Sequence, residues 1–172
     1  MKLSKKYVFI FAFFAFFSAK AQSDSLDYSY LSFNKLYDYF KNKQINLLDS
    51  YKPDLYFEVF DWLGTPYRLG GKSKNGIDCS ALVASVFNKI FGTNLSGAVG
   101  DIYKKCTDIS KSDLIEGDLV IFNIRGRYMS HIGIYLQNNK FIHATVHGGV
   151  MVNDLDDPYY KGYFYKAARL NP

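Results

Sequence analysis

The 172-residue chain carries 21 Lys and Arg against 16 Asp and Glu, a formal net charge of +5, with 15 Tyr, 15 Phe and two Cys. Four of the lysines fall in the first 21 residues, and the other 151 residues hold 17 basic and 16 acidic side chains, so no basic patch for nucleic acid is indicated. Two cysteines build no disulfide framework, no repeat or low-complexity tract is visible, and the size suits one domain with an aromatic-rich core.

Residues 1–21 have the layout of a secretory signal peptide. Lys2, Lys5 and Lys6 form a basic start, "YVFIFAFFAFF" follows as an apolar stretch, and Ala19-Lys20-Ala21 is a small-x-small cleavage site. The apolar run is short for a bilayer span, which makes a retained anchor the weaker alternative. Cleavage would leave Gln22 first. A lipid anchor would need a cysteine there, so the chain is expected to be exported, free of the membrane after cleavage, and not a lipoprotein. In an exported protein an idle thiol risks oxidation, which favours a working role for a cysteine.

Residues 22–52 read as an N-terminal extension, polar and tyrosine-rich, with a loose helix expected within 29–41. "KPDLYFEVFDWLG" predicts a helix over 53–63, with Pro53 in its first turn, Asp54 and Glu58 in its N-terminal half and Gly64 to end it. "TPYRLGGKSKNG" reads as a loop. A second helix is expected over 79–91, its apolar face running from Ala81 through Val86 to Phe91, with Asp78 as N-cap and Gly92 as terminator. A third helix is expected over 97–106. From 118 onward "DLVIFNI", "HIGIYLQ", "KFIHATV", "GVMVN" and "GYFYKAARL" read as strands with turns between them. Helices first and about five antiparallel strands second predict an α+β fold.

Within this order, "GIDCSALV" places Cys79 at the start of the second helix. Free N–H groups and the helix dipole there favour a thiolate and can hold an oxyanion. Position alone leaves nucleophile and structural thiol level. A nucleophile needs a proton shuttle. The three histidines, His131, His143 and His147, crowd into one window of strands. Cys79 with His131 and His143 would make a cysteine–histidine–orienter set. The rivals are satisfied strand-edge histidines, or a zinc site at His143 and His147. Residues four apart on a strand are roughly 13 Å apart, too far to share a metal, so no metal is expected, and a thiol nucleophile with a histidine base needs no cofactor. Tyr67 has a phenol that can donate to an oxyanion. Arg68 reads as a solvated loop charge, and Cys106 as structural.

Taken together, "GTPYRLGGKSKNGIDCSALV", "GDLVIF" and "SHIGIYLQNNKFIHA" resemble NlpC-type cell-wall peptidases, papain-like cysteine hydrolases of peptidoglycan, over about residues 56–170. The tail "DDPYYKGYFYKAARL" is similar to that of the short periplasmic and outer-membrane murein endopeptidases. The resemblance implies a catalytic domain over 53–172, with Cys79 as nucleophile, His131 as base and His143 orienting it. It further implies that Tyr67 lines the site and that Asp78 and Ser80 help hold the substrate's stem peptide. The implied substrate is a D-Glu–diaminopimelate or D-Ala–diaminopimelate bond of peptidoglycan, cut by an exported monomer. Residues 22–52 are too few for the separate wall-targeting domain many relatives carry. The alternatives are a non-catalytic wall-binding module of the same fold, or an amidase effector acting on rival cells; the leader argues against the second.

Two further expectations concern the site. The Cys79–His131 pair is expected as thiolate and imidazolium, with activity falling in acid through the histidine range. The hairpin carrying both histidines must also have the right parity. A two-residue turn at Asn138-Asn139 would put His131 and His143 on opposite faces. A three-residue loop at 137–139, with Asn139 left-handed, would set Gly133 opposite His143 and bring His131 alongside as its diagonal neighbour.

Overall fold

A computed structural model describes residues 32–171. The leader expected over 1–21 and the start of the extension lie outside these residues. Residues 32–42 are helical (α1). The chain divides into two units between Tyr39 and Phe40. In the described part of the first, Phe33 and Tyr37 lie one helical turn apart and stack with ring centroids at 6.3 Å.

The second unit begins with helices. Helix α2 spans Pro53–Trp62, with Pro53 in its first turn, where a missing N–H costs nothing. Helix α3 spans Cys79–Phe91. Its first turn is closed by Asp78, whose Oδ1 accepts from the Ala81 N–H at 2.8 Å, and its last turn ends on Gly92 at φ 61. The buried stripe Leu82, Val83, Val86 and Phe87 faces inward. Between α2 and α3, the buried Glu58 accepts from Trp62 Nε1 at 2.9 Å and pairs with Lys89, so both helices are held by one carboxylate. The intervening loop contains a small antiparallel ribbon, β1 (Lys72–Ser73) with β2 (Gly76–Ile77), where no strand was expected.

The third expected helix is shorter. Helix α4 covers Val99–Tyr103, and the chain then turns into a strand, β3 (Cys106–Ile109). The five expected strands follow as β4 (Leu119–Phe122), β5 (His131–Tyr135), β6 (Lys140–Thr145), β7 (Gly149–Asp154) and β8 (Phe164–Leu170). The sheet is antiparallel with order β3-β8-β4-β5-β6-β7. It therefore has six strands rather than five. The extra one is a polar edge strand, "CTDI", with too little apolar alternation to be seen in the sequence. A short helix α5 (Pro158–Tyr163), capped by Asp157, separates β7 from β8.

The sheet's two faces do different work. Val120, Phe122 and Phe141 form one buried cluster with Leu155 and Tyr160, roofed by residues of α5. Alternate residues Ile132, Ile134, Ile142 and Ala144 are fully buried on the other face, which is left for α3 to pack against β5 and β6. Residues 44–52 are tied down by Glu116. Its carboxylate accepts from Ser50 Oγ at 2.9 Å, Tyr51 N at 3.1 Å, Tyr56 Oη at 2.9 Å and Gln137 Nε2. Burial first, and then that carboxylate, holds the Tyr56 phenol firmly protonated.

Candidate active site

The β5–β6 hairpin decides whether the histidines can meet. Leu136 N donates to Lys140 O at 2.8 Å, and the register runs Ile134 to Ile142 and Tyr135 to Phe141. The loop is therefore the three residues 137–139. Both asparagines in it are left-handed, Asn138 at φ 50 and Asn139 at φ 60, where only Asn139 was expected to be. This register sets Gly133 opposite His143, and a Cβ on Gly133 would lie 3.3 Å from His143 Cβ. His131 and His143 share one face as a result. His131 Nε2 lies 2.6 Å from His143 Nδ1, with the rings edge to face at 4.9 Å between centroids.

The network continues to a residue that sequence reasoning missed. His143 is fully buried, and its Nε2 lies 2.9 Å from Asn153 Oδ1 on β7. A carbonyl oxygen only accepts, so His143 Nε2 carries its proton and Nδ1 is bare. His131 Nε2 must then donate to that bare nitrogen, which leaves His131 Nδ1 as the basic lone pair. Tyr160 Oη makes a second, longer contact to His143 Nε2 at 3.3 Å. The signal for Asn153 was its parity with Met151, which pairs directly with His143. That parity is visible only once the β6–β7 register is known.

Cys79 is a free thiol, 8 % exposed, at the first position of α3, and Cys106 is also free. The backbone amides of Ile132, Ser80 and Cys79 lie near enough to the Cys79 sulfur to favour its charged form. The sulfur thus lies against the backbone of the residue next to His131, at the rim where β5 begins. Asp78 spends both oxygens on shape: Oδ1 caps Ala81 and accepts from Ser80 Oγ at 3.0 Å, and Oδ2 accepts from Gly70 N at 2.9 Å. Tyr67 is carried by a segment laid on β7, with Val150 N donating to Thr65 O and Gly64 N to Val150 O, both at 2.9 Å. Gly149, at φ 69, is required there because a Cβ would fall 2.3 Å from Thr65 O. Burial, then Cys79 and Asp78, raises the Tyr67 phenol pKa, keeping it a donor. Arg68 is exposed, as expected of a solvated loop charge, and its stem covers Gly76, where a Cβ would meet Arg68 Cβ at 2.6 Å.

The electrostatics run against one expectation. Burial pushes the Cys79 thiol up to about 11 and outweighs the lowering by the Ile132, Ser80 and Cys79 amides. Burial, then the neighbouring His143, lowers His131 to about 3, and burial lowers His143 to about 4 against the opposing bond to Asn153. Burial of these groups thus favours a neutral thiol and neutral imidazoles over the expected thiolate–imidazolium pair. Desolvation at the sheet rim is the reason, and the sequence gives no measure of it.

Two clefts of about 830 Å³ each share Tyr67 and Ser130. Cys79, Asp78 and Ser80 open to one; His131, His143 and Asn153 line the other. His147 also lines the second cleft, away from the paired rings. Among the described residues no group of three or more His, Cys, Asp or Glu could hold a metal, and no helix is long and apolar enough to cross a membrane.

Comparison with known proteins agrees with the fold. The model of the NlpC/P60 family matches residues 64–169. The chain is 40% identical over 110 residues to the Escherichia coli (strain K12) protein named murein DD-endopeptidase MepS/murein LD-carboxypeptidase, covering 64% of this chain and 58% of that protein. It is 40% identical over 114 residues to the probable endopeptidase NlpC of the same strain, covering 66% of this chain and 74% of the relative. Among solved structures, a protein similar to lipoprotein, of the NLP/P60 family, from Staphylococcus aureus subsp. aureus Mu50 superposes with TM-score 0.62 at 31% identity, over 69% of this chain and 40% of that one. The NlpC/p60 domain of the peptidoglycan hydrolase SagA superposes with TM-score 0.59 at 26% identity, over 67% of this chain and 96% of that domain.

Proposed function

The chain belongs to the NlpC/P60 family, and from that premise we propose that it is a cysteine-type peptidoglycan endopeptidase, with Cys79 as nucleophile, His131 as proton shuttle and His143 as the residue that orients it. The observation that carries the reading is the hydrogen-bonded series from Asn153 through His143 to His131, at 2.9 and 2.6 Å. It fixes the tautomer of His131 and leaves its basic Nδ1 for the thiol at the start of α3.

The chemistry follows from the resting protonation. As the Cys79 sulfur attacks the scissile carbonyl carbon, its proton passes to His131 Nδ1. The carbonyl oxygen becomes an oxyanion that the backbone amides at the start of α3 and the Tyr67 phenol can hold. His131 then gives the proton to the leaving amine nitrogen, the C–N bond breaks, and a thioester remains on Cys79. Water attacks the thioester carbonyl, its proton returns through His131 to the thiol, and the acid product leaves. The His131 imidazolium is transient. Asn153 holds His143 in the tautomer that accepts from His131 throughout.

The substrate reading rests on the relatives, one named as a murein endopeptidase and one as a peptidoglycan hydrolase. The scissile bond is one whose amine belongs to diaminopimelate, with D-Glu or D-Ala on the acyl side. The leader pattern of residues 1–21 supports export to the cell-wall space, with no cysteine at Gln22 for a lipid. Asp78 and Ser80 line the acyl-side cleft, where they would contact the stem peptide. The test is digestion of purified peptidoglycan by wild type and Cys79→Ala, with fragments identified by mass spectrometry. New amine termini at diaminopimelate with wild type alone support the reading; equal digestion by both, or by neither, removes it.

A further inference from the structure

The two clefts that meet at the proposed site differ in charge. The one that opens on Cys79 has one carboxylate and one ammonium among its lining residues, Asp78 and Lys72. The one lined by the histidines has two guanidinium groups, Arg125 and Arg127, and no Asp or Glu. Both arginines are exposed, and among the described residues neither has an ion-pair or side-chain hydrogen-bond partner. Two unpaired guanidiniums in a cleft with no acidic neighbour are an electrostatic receptor for an anion.

The segment that carries them is built rather than loose. Asn123 N donates to Tyr163 O at 2.9 Å, Ile124 N donates to Ser130 Oγ at 2.9 Å, and Met129 N donates to Asn123 Oδ1 at 2.8 Å. Arg127 N closes a turn on Ile124 O at 3.2 Å. Arg125 itself is held left-handed at φ 53, which a bulky side chain adopts only where the surroundings impose it.

Chemistry assigns the cleft its half of the substrate. The leaving nitrogen must collect its proton from His131, so the residue owning that nitrogen lies on the histidine side. The acyl half stays on Cys79 and extends into the other cleft. We infer that Arg125 and Arg127 form a carboxylate-recognition arm for the leaving residue, selecting peptides in which that residue keeps a free α-carboxylate beside the scissile nitrogen. Planar guanidiniums match a carboxylate through paired N–H donors, and a carboxamide offers neither the charge nor two acceptors. The inference rests on the peptidase reading and names the substrate feature it selects.

The experiment uses matched peptides for each candidate bond, L-Ala-γ-D-Glu-diaminopimelate and a D-Ala–diaminopimelate cross-linked dimer, each with the diaminopimelate carboxylate next to the scissile nitrogen free or converted to carboxamide. kcat/KM is measured for wild type, Arg125→Gln, Arg127→Gln, the double variant, and Lys161→Gln as a charge control on α5. In parallel, the affinity of each peptide for Cys79→Ala, with and without the arginine substitutions, is measured by calorimetry. Wild type should favour the carboxylate peptide about tenfold or more, the scale of one charge-assisted pair. The double variant should bring the ratio close to one through a rise in KM, and Lys161→Gln should keep it. Cleavage without discrimination, or a ratio unchanged in the double variant, overturns the arm and leaves the peptidase reading standing. No cleavage of any peptide, with arginine-dependent carboxylate preference still present in binding to Cys79→Ala, overturns the peptidase reading and keeps the arm. No preference in either measurement removes the arm.

Discussion

At the scale of single residues, catalysis turns on which groups hold protons. With His131 lowered to about 3 and Cys79 raised to about 11, neither titrates near neutrality. In the proposed role of base His131 must be neutral, and burial, which lowers its pKa, favours the neutral form well below the usual histidine value. The kcat/KM profile should therefore be level from roughly pH 5 to 7.5, with its acid limb far below the ordinary histidine pKa of about 6.5. A midpoint near that ordinary value would contradict the neutral-pair resting state. Asn153 gives a sharper test. Asn153→Ala leaves the His143 Nε2–H without its acceptor and should lower kcat roughly ten- to a hundredfold, the equivalent of about 1–3 kcal/mol for an unsatisfied buried donor. Asn153→Asp puts a carboxylate beside the histidines, favours their charged forms and should move the acid limb upward, a shift that a merely structural residue would not produce. The sequence exposed Cys79, His131 and His143 because cysteine and histidine are rare here and fall in order within distinctive stretches. It hid Asn153 and Tyr160, since each belongs to a common residue type and gains its role from strand register and from the turn of α5.

At the scale of elements, the hairpin does the assembling. Asn138-Asn139 by itself invites a two-residue turn, and the three-residue loop was legible only from the requirement that the two histidines share a face. Gly133 is the tight point. A Cβ there would fall 2.7 Å from Phe141 Cδ2 and 2.8 Å from Ile142 O, inside a packed sheet. Gly133→Ala should destabilise the fold by about 1–3 kcal/mol, the range for overpacking, and lower activity by pushing β5 from β6 beneath the two rings. A urea unfolding midpoint equal to wild type would refute that packing. Helix α3 was legible to the residue because its cap, apolar stripe and terminating glycine agree. Among the elements missed, β3 and α5 are short, and their patterns are weak locally. They form because β8 and the aromatic cluster give them something to pair with or cover.

For the whole molecule, the same burial that tunes the histidines ties stability to pH. Both are neutral in the folded state with pKa values below the unfolded 6.5, so the unfolded chain binds more protons in acid. Stability should fall as pH drops from about 6.5 toward 4, by on the order of 1 kcal/mol per pH unit for each histidine, and His143→Gln should flatten that slope. Glu116 holds the segment before α2 to the sheet, and Glu116→Ala would strand Tyr56 Oη, Gln137 Nε2 and two further donors. A loss of about 2–4 kcal/mol in urea unfolding is expected, with the pH profile of catalysis unchanged. In the proposed mechanism a peptide bond is broken through a covalent bond to the sulfur at the start of α3. Its most direct test is acid quenching of the enzyme during turnover of a stem peptide, followed by peptide-level mass spectrometry. The account predicts the acyl fragment on Cys79 alone, absent from His131→Ala and never on Cys106; steady turnover with no adduct, or an adduct on Cys106, would contradict it.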